Sequence, residues 1–101
     1  MKSQPTAYVI QQVVASDYGL TPEKLRSASR INYLIIPRYA AILLTHQLTD
    51  MSLKQIGRQF GDRHHTTILY AIHKARRVIN PKKLERLRAD ILARSLEEDA
   101  A

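Results

Sequence analysis

Apolar residues recur at helical spacing along almost the whole chain. Tyr8, Val9, Val13 and Val14 predict a first helix from Thr6 to about Asp17, which Gly19 ends. The run Thr21-Pro22-Glu23 supplies an N-cap, a proline at the first helical position and an acid in the first turn. It predicts a short second helix that reaches about Ser27.

The most apolar segment lies in the middle of the chain. Residues 28–36 interrupt the periodicity with Ser29, Arg30 and Asn32, so we expect a connecting loop there. We expect the Tyr33–Ile36 run within it to pack in the core or the loop rather than to bind a ligand. Pro37 can open the next helix, which is predicted to be central and buried because of Ala40, Ala41, Leu43, Leu44 and Leu48.

A short helix is predicted after the caps Asp50 and Ser52, with Leu53, Ile56 and Phe60 on one face. Gly57 lies in the middle of it, where glycine costs about 0.5–1 kcal/mol relative to alanine. The close approach of a crossing helix is one use for such a glycine. Gly61-Asp62 is predicted to end the helix.

Two further helices complete the pattern. One begins at His65 or Thr66 and ends at Asn80-Pro81, with Ile68, Leu69, Ile72, Ala75 and Ile79 as its apolar face. The other runs from Lys82 to about Leu96 and alternates charges around Leu84, Leu87, Ile91 and Leu92. We expect these four side chains to pack on the core, with a dimer face as the alternative.

The segment from Ser52 to Ile79 has the pattern of a helix-turn-helix, two helices joined by a short turn that contains glycine. The second helix of such a unit holds to the core by its inner face and meets base edges with its outer face and N-terminal turn. We predict the inner face to be Ile68, Ile72, Ala75 and Ile79. The predicted outer set is Arg63, His64, His65, Thr66, Thr67, Tyr70, His73, Lys74 and Arg77, whose methyl, hydroxyl, imidazole and guanidinium groups can reach bases or phosphates.

Basic residues are concentrated in the same part of the chain. The formal net charge is +7, of which residues 51–80 carry +5, with six Lys and Arg against Asp62 alone. Residues 1–20 and 81–101 are each balanced. A polyanion-binding face concentrates charge in this way, whereas the alternative, a basic solvated surface, would spread it evenly. A length of 101 residues predicts one compact domain, residues 1–101.

Composition excludes several classes of protein. The chain has no cysteine, so it forms no disulfide and no thiolate metal site, and it suits a reducing cytosol. No apolar run approaches the ~18–20 residues of a membrane span, and no phosphate-binding glycine motif occurs. We expect no metal site at His64, His65 and His73, since adjacent histidines seldom converge on one ion and no carboxylate or cysteine completes the set. Asp62 beside a histidine lacks a nucleophile, so we expect neither a catalytic site nor a cofactor.

The segment Ser52–Ala71 closely resembles the C-terminal DNA-binding domain, domain IV, of the bacterial replication initiator DnaA. The family pattern is S-L-x-x-I-G-x-x-F-G-x-R-D-H-T-T-V-x-x-A, and its long F-G-x-R-x-H-T-T element is rarely produced by chance. The resemblance extends more loosely from about Tyr8 to about Leu96. It implies an all-α, compact helical bundle with a Trp-repressor-like helix-turn-helix.

The resemblance also implies roles for individual residues. The minor-groove arginine of the family would be Arg30. The major-groove contacts would be Arg63, His65, Thr66 and Thr67. Phosphate contacts would fall on Arg38, Lys54 and Lys74.

Two positions depart from the family pattern. The aspartate before His-Thr-Thr is His64 here. An aspartate can accept a hydrogen bond from a cytosine amino group, whereas an imidazole donates or accepts, so we expect a changed base preference. The basic loop is also poorer, with Ala28, Ser29 and Asn32 where the family often has Lys or Arg. Fewer phosphate contacts predict a shallower dependence of binding on salt.

We therefore predict a cytoplasmic, nucleoid-associated protein that binds double-stranded DNA at a DnaA-box-like site and does not interact with membranes. It would regulate transcription or replication initiation, or compete with the initiator, without ATPase activity. The alternative is a protein-interaction module for replication or chromosome factors, which would expose Leu, Met or Phe on the second helix. A fragment of a full initiator is a third interpretation, although Met1 and the acidic Glu97–Asp99 favour a complete small protein. Monomer and dimer both stay open.

Overall fold

Residues 4–100, which the computed structural model describes, form six α-helices and no strand. The helices are α1 Ala7–Asp17, α2 Pro22–Arg26, α3 Asn32–Leu48, α4 Leu53–Gln59, α5 His65–Val78 and α6 Pro81–Ala100. The predicted all-α bundle with a helix-turn-helix is confirmed.

The third helix, α3, is the centre of the bundle and contacts each of the other five helices. Ala40, Ala41, Leu43 and Leu44 of this helix have no exposed surface. Each fully buried leucine contributes about 1.5–3 kcal/mol relative to an exposed one, so this helix supplies a large share of the core energy. The prediction of a central buried helix is confirmed.

The start of α3 was predicted wrongly. The helix begins at Asn32, and Pro37 lies inside it rather than at its first position. Leu34 is 2% exposed and shares a face with the buried Arg38 and Ala41, so the apolar period extends back before the proline. An internal proline removes one backbone hydrogen bond and costs about 3 kcal/mol, which the burial of this face offsets.

Side-chain caps fix where the other helices begin. The Thr6 hydroxyl accepts from the Val9 N–H at 3.1 Å at the start of α1. Ser52 and Gln55 form a reciprocal capping box at α4, with backbone N–H to side-chain distances of 3.2 and 2.8 Å. Each such cap stabilises its helix by about 1 kcal/mol.

The last helix, α6, packs on α1 and α3 along one stripe. Leu84, Leu87 and Ile91 are buried on this stripe, as predicted, and Ser95 continues it. Leu92 was predicted to be in the core but is 42% exposed, because it falls one position off the stripe.

Among the described residues, no helix has both the length and the apolar character that crossing a bilayer requires.

Candidate nucleic-acid interface

The turn between α4 and α5 is built from two residues in the left-handed region. Gly61 has φ +83° and Asp62 has φ +56°, a conformation that glycine adopts freely and aspartate tolerates. A Cβ atom on Gly61 would collide with the carbonyl oxygen of Arg26, so space as well as φ requires glycine there. The predicted end of α4 at Gly61-Asp62 is confirmed.

Gly57 has no side chain and so allows α4 to pack closely against the same turn. Its carbonyl oxygen accepts from the Arg63 N–H at 2.9 Å, and a Cβ atom would collide with the Arg63 carbonyl oxygen. The Ile68 side chain of α5 would lie 3.7 Å from that Cβ. The glycine therefore allows a close approach of the turn backbone, whereas the crossing helix that we considered as its neighbour comes only to ordinary van der Waals distance.

The inner face of α5 agrees with the prediction. Ile68, Ile72 and Ala75 are buried against the core, together with Ala71, and Ile79 is 5% exposed just after the helix. Leu69 was predicted to belong to this face but is 43% exposed, because it lies three residues after Thr66 on the outer side.

The outer side of α5 carries most of the predicted outer set. Thr66, Thr67 and Tyr70 are exposed, as are His64, His73 and Arg77, whereas Arg63, His65 and Lys74 are half-buried. In the part of the chain that the structure describes, no three His, Asp or Glu side chains come together as a metal site would require.

His64 is the N-cap of α5. Its Nδ1 atom accepts from the Thr66 N–H at 3.2 Å and lies 2.8 Å from the Thr66 hydroxyl oxygen. A nitrogen that accepts in this way carries no proton, so the hydrogen-bond pattern assigns the ring proton to Nε2. His64 therefore presents an N–H donor from an exposed ring, which lies beside the His65 ring with centroids 4.2 Å apart and planes tilted by 34°.

Arg63 joins the turn to the loop before α3. Its guanidinium donates to the Phe60 carbonyl at 2.8 Å and to the Ser27 carbonyl at 2.7 Å. Burial lowers the pKa of Arg63, and the nearby positive charge of Arg30 lowers it further. Both arginines thus contribute to one region of positive potential.

Arg38 does not have the surface position that a phosphate contact requires. It is 5% exposed, and its guanidinium donates to the carbonyl oxygens of Lys24, Leu25, Ser27 and Ser29 at 2.9–3.2 Å. Burial lowers its pKa, with a smaller effect from Arg63. The expectation from the family pattern is corrected here: Arg38 organises the loop from inside the fold.

Several of the other predicted residues line two cavities that meet at Arg63. The first, about 440 Å³, lies between α4 and the turn and is lined by Lys54, Arg58, Asp62, Arg63, His64 and His65. The second, about 290 Å³, lies between α3 and α5, and Arg30, Arg63 and Thr67 line part of it. Lys74 stands seven residues beyond Thr67, about 10 Å further along α5.

Sequence reasoning missed two residues of this surface, and spacing could have found both. Arg58 follows Lys54 by four residues on α4 and lines the same cavity. Leu69 follows Thr66 by three residues on α5, a spacing that places the two side chains on the same side of a helix. The outer side of α5 therefore carries one exposed leucine, the feature expected of the protein-interaction alternative, among the polar side chains expected of a DNA-binding helix.

Tyr39 and Tyr70 also meet in the second cavity, edge to face, with ring centroids 6.2 Å apart. Burial raises the pKa of Tyr39, as does its neighbour Tyr70. The sequence gives no signal for this pair, because the two residues come from different helices.

Comparison with known proteins agrees with this architecture. Residues 7–75 match the family model described as the bacterial dnaA protein helix-turn-helix. Two proteins called chromosomal replication initiator protein DnaA, from two strains of Chloroflexus aurantiacus, are each 36% identical to this chain over 88 residues. The match covers 87% of this chain but only 18% of each relative. The chain belongs to the bacterial DnaA helix-turn-helix family.

Proposed function

We propose that this protein binds double-stranded DNA at a DnaA-box-like site, with α5 in the major groove. The observation that carries the proposal is the exposed N-terminal turn of α5, held on a rigid helix-turn-helix in a basic region. A second helix presented in this way is how the motif reads base edges.

Base contacts in the major groove are assigned to the first two turns of α5. Thr66 and Thr67 can meet thymine methyl groups and offer hydroxyls to base edges. His65 lies beside them, and the exposed Leu69 adds an apolar surface for a further thymine methyl. Arg63 contributes those guanidinium N–H groups that its two carbonyl partners leave available.

His64 gives the site its own base preference. Because its Nδ1 caps the helix, the neutral ring offers the Nε2–H as a donor. A donor can bond the acceptor atoms of guanine, thymine or adenine but not the cytosine amino group, which an aspartate favours. The bound site therefore differs from the family box at the base pair that His64 contacts.

Phosphate and minor-groove contacts flank this reading surface. Lys54 and Arg58 on α4 and Lys74 on α5 would contact phosphates on either side of the groove. Arg30, exposed in the loop before α3, would enter the minor groove. Arg38 is left out of the interface because its guanidinium is already bound to four carbonyls.

The biological role we propose is regulation of transcription or of replication initiation. The similar proteins are named as chromosomal replication initiators, so a chain that binds related sites would compete with such an initiator for them. The 101 residues contain no phosphate-binding glycine motif, and we propose that binding needs no ATPase activity in this chain.

Selection of bound sites from a random duplex library tests the proposal. Enrichment of a DnaA-box-like sequence is expected for the wild type. Arg63→Ala and Thr66→Ala should each then lose about 1–3 kcal/mol of binding to the selected site. The exposed Arg94→Ala on α6 serves as a control and should bind as the wild type does. If no sequence is enriched, or both variants of the proposed interface bind unchanged, the proposed function is wrong.

A further inference from the structure

Three large apolar side chains are exposed close together beside Arg30. Ile31 is 53% exposed, Tyr33 is 55% exposed and Ile36 is 37% exposed. Tyr33 and Ile36 are three residues apart in α3 and share a face, and Ile31 immediately precedes the helix. Single exposed apolar residues are ordinary on protein surfaces, but a group within six residues indicates a contact surface.

Local stability does not explain the isoleucine at position 31. Ile31 is the N-cap of α3, and its side chain makes no capping hydrogen bond. Ser, Asn or Asp at an N-cap would stabilise the helix by about 1 kcal/mol. Position 31 thus lacks a side-chain cap and exposes an apolar group to solvent. This combination indicates that the side chain contacts another molecule.

The surroundings of this group favour a polyanion as its partner. Lys24 and Arg30 are exposed near this group, whereas Arg26 pairs with Glu23 and Arg38 is buried. The Lys24 ammonium lies 5.9 Å from the centroid of the Tyr33 ring. Arg30, next in sequence to Ile31, lines a cavity together with Arg63 and Thr67. Ile31 therefore adjoins the proposed DNA-binding surface in sequence, whereas Tyr33 and Ile36 lie on a different face of α3 from Ile35, Tyr39 and Ile42, which line that cavity.

We propose that Ile31 enters the minor groove beside Arg30 as an apolar wedge that partly unstacks a base step and bends the duplex. Apolar side chains inserted between base pairs act in this way in minor-groove proteins, and the cost of unstacking is offset by the contacts that the bend allows. This inference rests on the proposed function.

The wedge adds a source of specificity that needs no hydrogen bond to a base. Pyrimidine–purine steps such as TA and CA kink and unstack most readily. The site contacted by Ile31 should therefore favour such a step at a fixed distance from the bases read by α5.

Ile31→Ser is a sharp test, because serine is a favoured N-cap residue and should not weaken the fold. The probe is the duplex selected for the wild type, labelled at both ends, with the bend measured by energy transfer between the dyes. We expect Ile31→Ser to reduce the bend and to lower the affinity roughly tenfold. The control is Leu96→Ser on α6, which removes an apolar side chain of similar exposure, 51%, away from α5. It should leave both quantities unchanged.

The outcomes separate the two proposals. If the wild type binds no duplex, the proposed function fails and the wedge fails with it. If the wild type binds but Ile31→Ser binds and bends the same duplex equally, the wedge is wrong and the proposed function stands. That second result would instead favour a protein partner for the apolar group.

Discussion

Arg38 and Arg63 donate to the same backbone oxygen, that of Ser27, at 3.1 and 2.7 Å. Arg38 comes from the central helix α3, and Arg63 comes from the turn of the helix-turn-helix. The shared acceptor therefore ties the loop that carries Arg30 to the turn that precedes α5. The proposed minor-groove and major-groove elements are held in one fixed arrangement by this contact.

Replacement of Arg38 by alanine should be strongly destabilising. It would remove hydrogen bonds to four carbonyl oxygens. The Ser27 oxygen would keep Arg63 and the Lys24 oxygen would keep Ser27 as donors, whereas the Leu25 and Ser29 oxygens would lose this partner, at about 1–3 kcal/mol for each that is buried. We expect the free energy of unfolding to fall by about 2–4 kcal/mol, measured by urea denaturation. The exposed Arg76→Ala is the control and should change it by less than about 0.5 kcal/mol. An Arg38→Ala protein as stable as the control would contradict the structural role.

Gly57→Ala tests the close approach of α4 to the turn. Alanine would gain about 0.5–1 kcal/mol of helix propensity, but its Cβ collides with the Arg63 carbonyl oxygen. We expect a net loss of about 1–3 kcal/mol in the free energy of unfolding and weaker DNA binding, because the turn must move.

Gly19→Ala is the matched control for that substitution. Gly19 has φ +71° but nothing within 4 Å of an added Cβ, so alanine there is strained without touching the turn. It should lower stability and leave DNA affinity unchanged. Equal binding by Gly57→Ala and the wild type would show that the turn tolerates the extra methyl group.

The helices could be predicted from spacing and caps wherever the apolar period was unbroken. The apolar period did not predict the start of α3 at Asn32. Polar residues on the outer side interrupt the apolar pattern there, although the buried face of α3 includes Leu34. The period also misplaced Leu69 and Leu92, each one position away from a buried stripe. Whether such a leucine is buried depends on which helix packs against it, and the sequence of one chain does not contain that information.

The residues that form most of the site could be predicted, but the contacts that their side chains make could not. The family pattern located Arg63, His64 and Thr66, which the structure places on or beside the N-terminal turn of α5. It assigned Arg38 to the surface, whereas the tertiary fold turns that side chain inward onto four carbonyls. The contact of Arg63 with Ser27 joins residues 36 positions apart and had no signal in the pattern, whereas the His64 cap is local, to Thr66 two residues on.

Lys54→Ala should weaken binding to all duplexes alike. Lys54 is exposed on α4 at the cavity beside the turn, where an ammonium group suits a phosphate. Loss of one phosphate contact should reduce the slope of log affinity against log salt by about one unit. Titration of cognate and unrelated duplexes at several salt concentrations measures this slope. Arg94→Ala removes an equal charge from α6 and should leave the slope unchanged, whereas a loss confined to the cognate site would disprove the phosphate role of Lys54.

His64→Asp should change base preference while keeping the helix cap. Aspartate caps as well as histidine or better, so the variant should be as stable as the wild type. The acceptor carboxylate should favour cytosine, which the donor of the wild type disfavours, by about 1–3 kcal/mol. Competition binding with the four base pairs at each position of the selected site measures this preference. An unchanged ranking of the four would place His64 outside the set of base-reading residues.

Asp17 links α1 to α6 and gives the fold a dependence on pH. Its carboxylate accepts from Arg86 at 2.7 Å and lies 3.1 Å from the Lys83 ammonium. The hydrogen bond from Arg86 is the main cause that lowers the pKa of Asp17, with Lys83 adding to it and burial opposing it. A pKa that is lower in the folded state stabilises the fold at pH values above the unfolded pKa, about 4, and this stabilisation is lost as the pH falls through the folded value.

Asp17→Asn should accordingly lower the free energy of unfolding at pH 7 by about 0.5–1 kcal/mol, the upper range for ion pairs near the surface. The difference from the wild type should shrink as the pH is lowered from about 5 to about 2, because the wild-type carboxyl group is then protonated as well. Urea denaturation across that range measures both effects. Asp90→Asn is the control, since its carboxylate is exposed and lies 3.9 Å from Arg86. A deficit of Asp17→Asn that persists unchanged at about pH 2 would mean that packing, rather than charge, sets the contribution of Asp17.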